Sequence, residues 1–362
     1  MENKVIVIIP AYEPPMAVVS YINKLTRDGK SRVLVINDGS GEEFEKVFEK
    51  IRETDGVAVI SYPENRGKGY ALKTAYKYCK ENFDENYVFV TADCDGQHHV
   101  DDVFSCAEAA AENQNDFILG VRDFDLPQVP SRSRTGNVLT RNMFHFLYGE
   151  KITDTQTGLR ACSYKLLDDL ILIKGDRFEY EMNELVVLVK NRIPIKEIPI
   201  KTIYEEKHED VKTRSHFKTF SDSFKVWKIL LGNITGFILA GFIAGAFEVG
   251  AFACLYYLIF KNVKTFAIRT LLSTITARIL SSLLNCLINK KYVFRCKTKT
   301  SVIKYYALFL IQLGLSYGFT YLFGNVLGLQ IVVMKAIFDI IIGLLSYQVQ
   351  TNWVFKNKRK NN

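Results

Sequence analysis

Across the first 91 residues, short apolar runs rich in β-branched side chains alternate with segments whose apolar positions recur at helical spacing. Strands are predicted at Lys4–Ile9, Arg32–Ile36, Val57–Ser61 and Tyr87–Thr91, with helices near Met16–Arg27, Glu42–Arg52 and Gly69–Glu81. This β-α-β-α rhythm predicts an α/β domain with a mostly parallel, Rossmann-like sheet covered by helices. From Ile229 the pattern changes. Thr235–Phe260 carries one charge, Glu248; Thr270–Asn289 carries one, Arg278; Tyr305–Met334 carries none. Each approaches or exceeds the roughly 20 apolar residues that span a bilayer. Ile331–Val354 is apolar apart from Lys335 and Asp339, so the expectation is an all-α transmembrane part of four helices.

Between the two halves, Phe217, Phe220, Phe224, Trp227 and Leu231 fall on one helical stripe, with Lys218, Lys225 and Lys228 off it. Such a segment suits an interfacial helix lying on a membrane leaflet; a core-facing helix of the first domain is the alternative. The expected organisation is a domain over 1–212, an amphipathic linker over 213–232, a membrane domain over 233–356 and a basic tail over 357–362. A weak repeat runs through the membrane half, where "LLNCLINKKYVF" (283–294) aligns with "LLSYQVQTNWVF" (344–355). Mid-span charges are costly unless paired, so Arg278 is expected to meet Glu248 or Asp339, with Lys335 free to hold a lipid phosphate.

Composition agrees with this division. The chain has 362 residues, 48% of them hydrophobic, and all eight prolines lie at or before Pro199. The formal net charge of +8 is largely explained by membrane anchors. Lys290, Lys291, Arg295, Lys297 and Lys299 follow the second span, and Lys356, Lys358, Arg359 and Lys360 follow the fourth. No nucleic-acid partner is required, and the basic clusters place the N-terminal half and the C-terminus in the cytosol of a multi-pass protein of the cytoplasmic membrane. The short Lys261–Lys264 connection falls on the other side and argues weakly the opposite way. The first residues are too short for a secretory signal and read as a strand. Seven scattered cysteines without metal-type spacing fit reduced thiols.

Candidate chemistry collects after the predicted strands, where parallel sheets bind ligands. "PAYEPP" follows the first, "NDGS" the second and "ADCDGQ" the fourth. Neither a dinucleotide fingerprint nor a phosphate-binding loop is present. "NRGKGYAL" (65–72) places two glycines before a helix, either as turn chemistry or as an anion cradle. Asp38 is a turn former or cap, or a carboxylate that accepts from a base or ribose. Asp93 and Asp95 lie two apart on an extended segment and face one spot, which is costly for like charges without a cation. Hard oxygen ligands select Mg²⁺ or Mn²⁺, which would neutralise a diphosphate. His98 and His99 raise zinc, but too few further ligands lie in range.

Taken in order, "VIIPAYEP", "VINDGS", "NRGKGYALKTA", "TADCDGQH", "SRSRTGN" and "DTQTGLRA" resemble the inverting family-2 glycosyltransferases of the GT-A fold, over roughly residues 4–225. The likeness is strongest to the dolichol-phosphate mannosyltransferase type, which glycosylates polyprenyl phosphate. The resemblance implies that Pro10, Ala11, Tyr12, Glu13, Asp38, Lys68, Asp93 and Asp95 hold a nucleotide sugar, and that Asp93, Asp95 and Gln97 hold the metal. It also implies that Arg122, Ser133, Arg134 and Arg160 meet the acceptor phosphate, with Asp95, Asp154, Arg122 and Arg134 carrying the catalysis. A guanidinium fork suits phosphate oxygens, although Arg132 and Arg134 also fit a solvated loop. A phosphate acceptor is already anionic, so Asp154 is expected to position first and act as a base second. Glu179 and Glu181 suit core salt bridging as well as catalysis.

Residues 230–355, through "ARILSSLLNCLINKKYVF" and "KAIFDIIIGLLSYQVQTNWVF", resemble the GtrA-like four-helix membrane family. "QTGLR" lacks the tryptophan of the processive Gln-x-x-Arg-Trp motif, which favours one sugar per acceptor. The expected function is transfer of one sugar from a nucleotide sugar, of GDP-mannose or UDP-hexose type, to polyprenyl phosphate with inversion. The alternative is a carrier that flips a lipid-linked sugar, with the first domain accessory. Nothing in the sequence fixes the donor or an oligomeric state.

Overall fold

The computed structural model describes residues 4–27, 29, 31–124, 126, 129, 131–201, 219–294, 296, 298–326 and 330–355. The chain divides into two compact units, one on Met1–His145 and Glu150–Leu230, the other on Phe146–Gly149 and Leu231–Lys358.

The first unit is built on seven strands: β1 (Lys4–Ala11), β2 (Ser31–Asp38), β3 (Val57–Tyr62), β4 (Tyr87–Thr91), β5 (Phe117–Arg122), β6 (Arg160–Ser163) and β7 (Ile195–Ile200), in the order β3-β2-β1-β4-β6-β5-β7. All neighbours pair in parallel except β6, which runs antiparallel to β4 and β5. Six successive residues of β1, Ile6–Ala11, are buried, and the last six of β2 likewise. Both faces of the sheet's centre are therefore covered, as continuous apolar runs require. The edge strand β3 is at most half-buried throughout.

The first three helices follow their strands as the periodicity predicts: α1 (Ala17–Thr26), α2 (Glu45–Arg52) and α3 (Lys68–Asn82). Then come α4 (Val100–Glu112), α5 (Ser131–Tyr148), the short α6 (Leu167–Ile171) and α7 (Glu179–Asn191). Strand order reverses at β1, with β2 on one side and β4 on the other. The crevice beyond the carboxyl ends of β1 and β4 is the switch point at which such sheets take ligands.

The second unit is helical, taking α8 (Thr219–Cys254) from Leu231 onward, then α9 (Phe266–Ile288), α10 (Ser301–Thr320) and α11 (Ile331–Val349). Among the described residues, three helical stretches are long and apolar enough to cross a membrane: Trp227–Ile259, Phe266–Val293 and Ser301–Phe323. The fourth expected span is helical over Ile331–Val349, with the side chains of Lys335 and Asp339 outside the described residues. From Thr219 on, the described part of the expected linker lies in the same helix, α8, as the start of the first expected span. Phe217 and the side chains of Phe220 and Phe224 lie outside the described residues, so the aromatic stripe is seen only in Trp227 and beyond.

The repeat has a structural counterpart. The α9 and α11 helices both end in a π-turn, Asn289–Val293 and Gln350–Val354, closed by the N–H of Phe294 and of Phe355. The two phenylalanine rings stack 5.0 Å apart. Arg278 Nε lies 3.1 Å from Glu248 Oε1, and Ser281 Oγ donates to Glu248 Oε2 at 2.8 Å. Of the two expected partners, Arg278 thus meets Glu248.

Candidate active site

Three loops at the carboxyl edge of the sheet are bound into one another. The N–H of Glu13, just beyond β1, donates to Ser40 Oγ at 2.9 Å, and the N–H of Ser40 donates to Asn37 Oδ1 at 3.0 Å. Glu13 has φ 50, in the left-handed region that costs a side-chain-bearing residue roughly 1–2 kcal/mol. The bond of its N–H to Ser40 holds that conformation in place. The Tyr12 hydroxyl is raised above its ordinary pKa, chiefly by its hydrogen bond to Glu13 and then by burial. Pro10 and Ala11 are buried at the end of β1.

Asp38, at the end of β2, is 3% exposed. Its Oδ1 accepts from Tyr62 Oη at 2.7 Å and from the N–H of Arg66 at 2.8 Å, and its Oδ2 accepts from the N–H of Gly67 at 2.8 Å. The anion cradled by the "NRGKG" turn is thus the protein's own carboxylate. Burial and the bond to Asp38 raise the Tyr62 phenol, so it stays a donor. Gly67 has φ +102, and a Cβ on it would lie 2.5 Å from Asp176 O; a Cβ on Gly69 would lie 2.4 Å from Tyr180 Cβ. Both glycines allow the start of α3 to pack against the start of α7, where the N–H of Tyr70 donates to Asp176 O at 2.9 Å.

This turn aims Lys68 at the end of β4. Its ammonium lies 2.7 Å from Asp93 Oδ1 and 2.8 Å from Glu181 Oε1. Burial alone would lower the Lys68 pKa, but the two carboxylates outweigh it and raise it. The other Asp93 oxygen lies 3.3 Å from His98 Nε2. Burial would raise the Asp93 pKa, yet Lys68 and His98 hold it well below the usual carboxylate range. Asp95 is the converse: burial and the Asp93 charge push it up, while Oδ1 accepts the Gln97 N–H at 3.1 Å. The Gln97 side chain is exposed. Cys94, between the aspartates, is pushed up to about 12 by burial and stays a thiol. Gly158 abuts this site, since a Cβ there would lie 2.3 Å from Asp93 Oδ2.

A divalent cation suits this donor set. No group of three or more His, Cys, Asp or Glu side chains gathers among the described residues, so a cation here would take part of its ligand set from a bound substrate. Two carboxylates beside a diphosphate are what Mg²⁺ uses, since it takes one or two carboxylates together with substrate phosphates. The raised Asp95 is a carboxylate whose charge such a cation would stabilise.

The resemblance-derived acceptor residues divide by environment. Asp154 is fully buried and accepts both arms of the Arg122 fork, from Nε at 2.7 Å and Nη2 at 3.2 Å, besides the N–H of Gln156 at 3.0 Å. It is placed to orient Arg122, whose side chain keeps 29% exposure. Arg134 Nε and Nη2 donate to the carbonyls of Phe124 and Leu126 at 2.9 and 2.7 Å, which shapes the loop after β5. The side chain of Ser133 lies outside the described residues. Arg160 is 2% exposed. Its guanidinium donates to the carbonyls of Thr157 and Glu181, both at 2.9 Å, and to Glu184, which is itself wholly buried.

Glu184 was not singled out from the sequence, although a glutamate in line with Tyr180 and Leu188 on the buried face of a helix is a recognisable signal. Glu181, left open between salt bridging and catalysis, bonds Lys68. His98 lies against Asp93.

Residues 6–174 match the family described as Glycosyl transferase family 2, and residues 236–355 match the GtrA/DPMS transmembrane domain. Over 212 residues the chain is 32% identical to an uncharacterised protein of Methanocaldococcus jannaschii, covering 57% of this chain and 84% of that one. The chain belongs to glycosyl transferase family 2. This glycosyltransferase is also 29% identical over 224 residues to the UDP-N-acetylglucosamine–dolichyl-phosphate N-acetylglucosaminyltransferase of Methanococcus voltae, with 57% and 88% covered. It is 26% identical over 209 residues to a dolichyl-phosphate hexose transferase of Haloferax volcanii, with 57% and 85% covered. Its first unit has the GT-A-like architecture, and the second makes the glycosyltransferase a membrane protein.

Proposed function

We propose that this glycosyltransferase moves one sugar from a nucleotide sugar to polyprenyl phosphate, with inversion, at the cytosolic face of the membrane. The observation that carries the reading is the Asp93–Asp95 pair at the switch crevice, with Lys68 against it, in a chain that also carries a GtrA/DPMS transmembrane domain. Two relatives named for transfer to dolichyl phosphate support the acceptor class. The basic residues after the second and fourth spans support the orientation.

In this mechanism Tyr12, Glu13 and the end of β1 receive the nucleotide, and Asp38 holds the adjoining turn in shape. Asp93 and Asp95 would hold Mg²⁺ or Mn²⁺, which supplies charge stabilisation to the departing diphosphate. Arg122, oriented by Asp154, faces the acceptor phosphate, which is anionic at neutral pH and needs positioning rather than deprotonation. An in-line attack on the anomeric carbon then inverts the configuration.

The test incubates the detergent-solubilised full chain with polyprenyl phosphate, Mg²⁺ or Mn²⁺ and a panel of radiolabelled nucleotide sugars. One donor is expected to yield a labelled, organic-soluble lipid, and Asp95→Asn to abolish it in a folded protein. A folded chain that labels no lipid with any donor refutes the enzyme reading, and retained transfer by Asp95→Asn refutes the metal assignment.

A further inference from the structure

The ion pairing of Asp93 raises a question about how the site is occupied between turnovers. An aspartate meant for a divalent cation would be expected to sit with uncompensated charge, yet both of its oxygens are engaged, by the Lys68 ammonium at 2.7 Å and by His98 at 3.3 Å. Lys68 is in turn shared with Glu181 at 2.8 Å. Its backbone is set by the turn clamped on Asp38, through the N–H groups of Arg66 and Gly67, and by the positive φ that only Gly67 readily adopts. The ammonium is therefore held in one place between two carboxylates rather than sampling solvent.

We propose that Lys68 is a built-in counter-ion: it neutralises Asp93 while the site is empty of nucleotide, and turns to the diphosphate oxygens when Asp93 is given over to the divalent cation. Glu181 sets the strength of this hold by drawing Lys68 partly away from Asp93. The inference rests on the metal-diphosphate reading above, but it concerns the site before substrate arrives. Two consequences follow from Coulomb's law at contact distance. Without nucleotide, Lys68 repels a divalent cation from the aspartates, so metal binding is weak until a diphosphate engages the ammonium. Ordered binding, with nucleotide enhancing metal, is then a property of one lysine.

The test measures Mn²⁺ binding to the detergent-solubilised full chain by electron paramagnetic resonance of the free ion, with and without UDP or GDP and with no acceptor. Lys68→Met is expected to bind Mn²⁺ at least about tenfold more tightly than wild type without nucleotide, because a unit positive charge has left the aspartates. The enhancement by nucleotide should shrink in that variant. Glu181→Gln is expected to act in the opposite sense and weaken nucleotide-free Mn²⁺ binding several-fold, since Lys68 then rests on Asp93 alone. A purely structural role would weaken binding in both variants, so parallel losses overturn the proposal, as does an unchanged affinity in Lys68→Met. Lys68→Gln, which keeps a hydrogen-bond donor, supplies a milder variant should the methionine fail to fold, and must shift affinity in the same direction as predicted for methionine. Absence of Mn²⁺ binding in wild type even with nucleotide overturns the metal reading itself.

Discussion

Arg160→Met offers a demanding test of the interior of the catalytic unit. Arg160 and Glu184 are 2% and 0% exposed, and the guanidinium also serves the carbonyls of Thr157 and Glu181. Methionine fills similar space but leaves the Glu184 carboxylate buried without a counter-charge, a loss of about 3–5 kcal/mol when one partner of a buried pair is removed. A ceiling comes from protonation: holding a carboxyl neutral against an ordinary pKa near 4.3 costs about 3.7 kcal/mol at pH 7 and about 1 kcal/mol at pH 5. Burial already raises the Glu184 pKa despite Arg160, and the substitution raises it further. A carboxyl whose folded pKa lies above its unfolded one carries no penalty below the unfolded value, and the penalty grows as pH rises. At about 2–4 °C per kcal/mol for a unit of this size, the variant should melt about 7–15 °C below wild type at pH 7 and only about 2–4 °C below at pH 5. Calorimetry of the full chain in detergent gives the gap, and hydrogen exchange at β6 assigns it to this unit. Arg160→Met combined with Glu184→Leu should recover most of the loss, because apolar replacement of a whole buried pair is close to neutral. A gap that widens toward pH 5, or a double variant no better than the single, refutes the reasoning.

Gly158→Ala drives a methyl to within 2.3 Å of Asp93 Oδ2; an activity loss of at least tenfold is expected, with a destabilisation of about 1–3 kcal/mol from overpacking, and unchanged turnover would show that Asp93 need not sit where it does. Arg122→Lys cannot reproduce the two-armed bond to Asp154 and should lower kcat/KM for polyprenyl phosphate by roughly 10–150-fold, the equivalent of about 1.5–3 kcal/mol for a charge-assisted bond; an effect confined to KM for the nucleotide sugar would move Arg122 out of the acceptor's reach. Glu248→Leu strands Arg278 in the membrane half at a cost of about 2.5–3.5 kcal/mol, lowering the thermal midpoint in detergent, and adding Arg278→Leu should restore it; failure of that rescue would show that the charges do not act as a pair.

The architecture was legible because it is written in local period. Four strands and three helices of the first unit follow from alternation and helical spacing, and the membrane helices from uninterrupted apolar length, since burial on both faces or in lipid leaves no choice of residue type. The site was legible as motifs, because chemistry at strand ends needs particular side chains whatever surrounds them. Which side chain meets which was not, because partners such as Lys68 and Asp93, or Arg160 and Glu184, stand 25 and 24 residues apart and are matched only by packing. Arg160, Arg134 and Asp38, to which the resemblance assigns ligands, bond within the fold to a buried glutamate, to loop carbonyls and to a turn of backbone amides. The antiparallel β6, slipped between β4 and β5, also left no periodic signature. Local pattern was enough to bring two aspartates to one edge of a sheet and to mark the apolar helices of a membrane protein. That a lysine answers the first aspartate came from the closed fold, because where a charge finds its counter-charge is settled by which loops the sheet brings together.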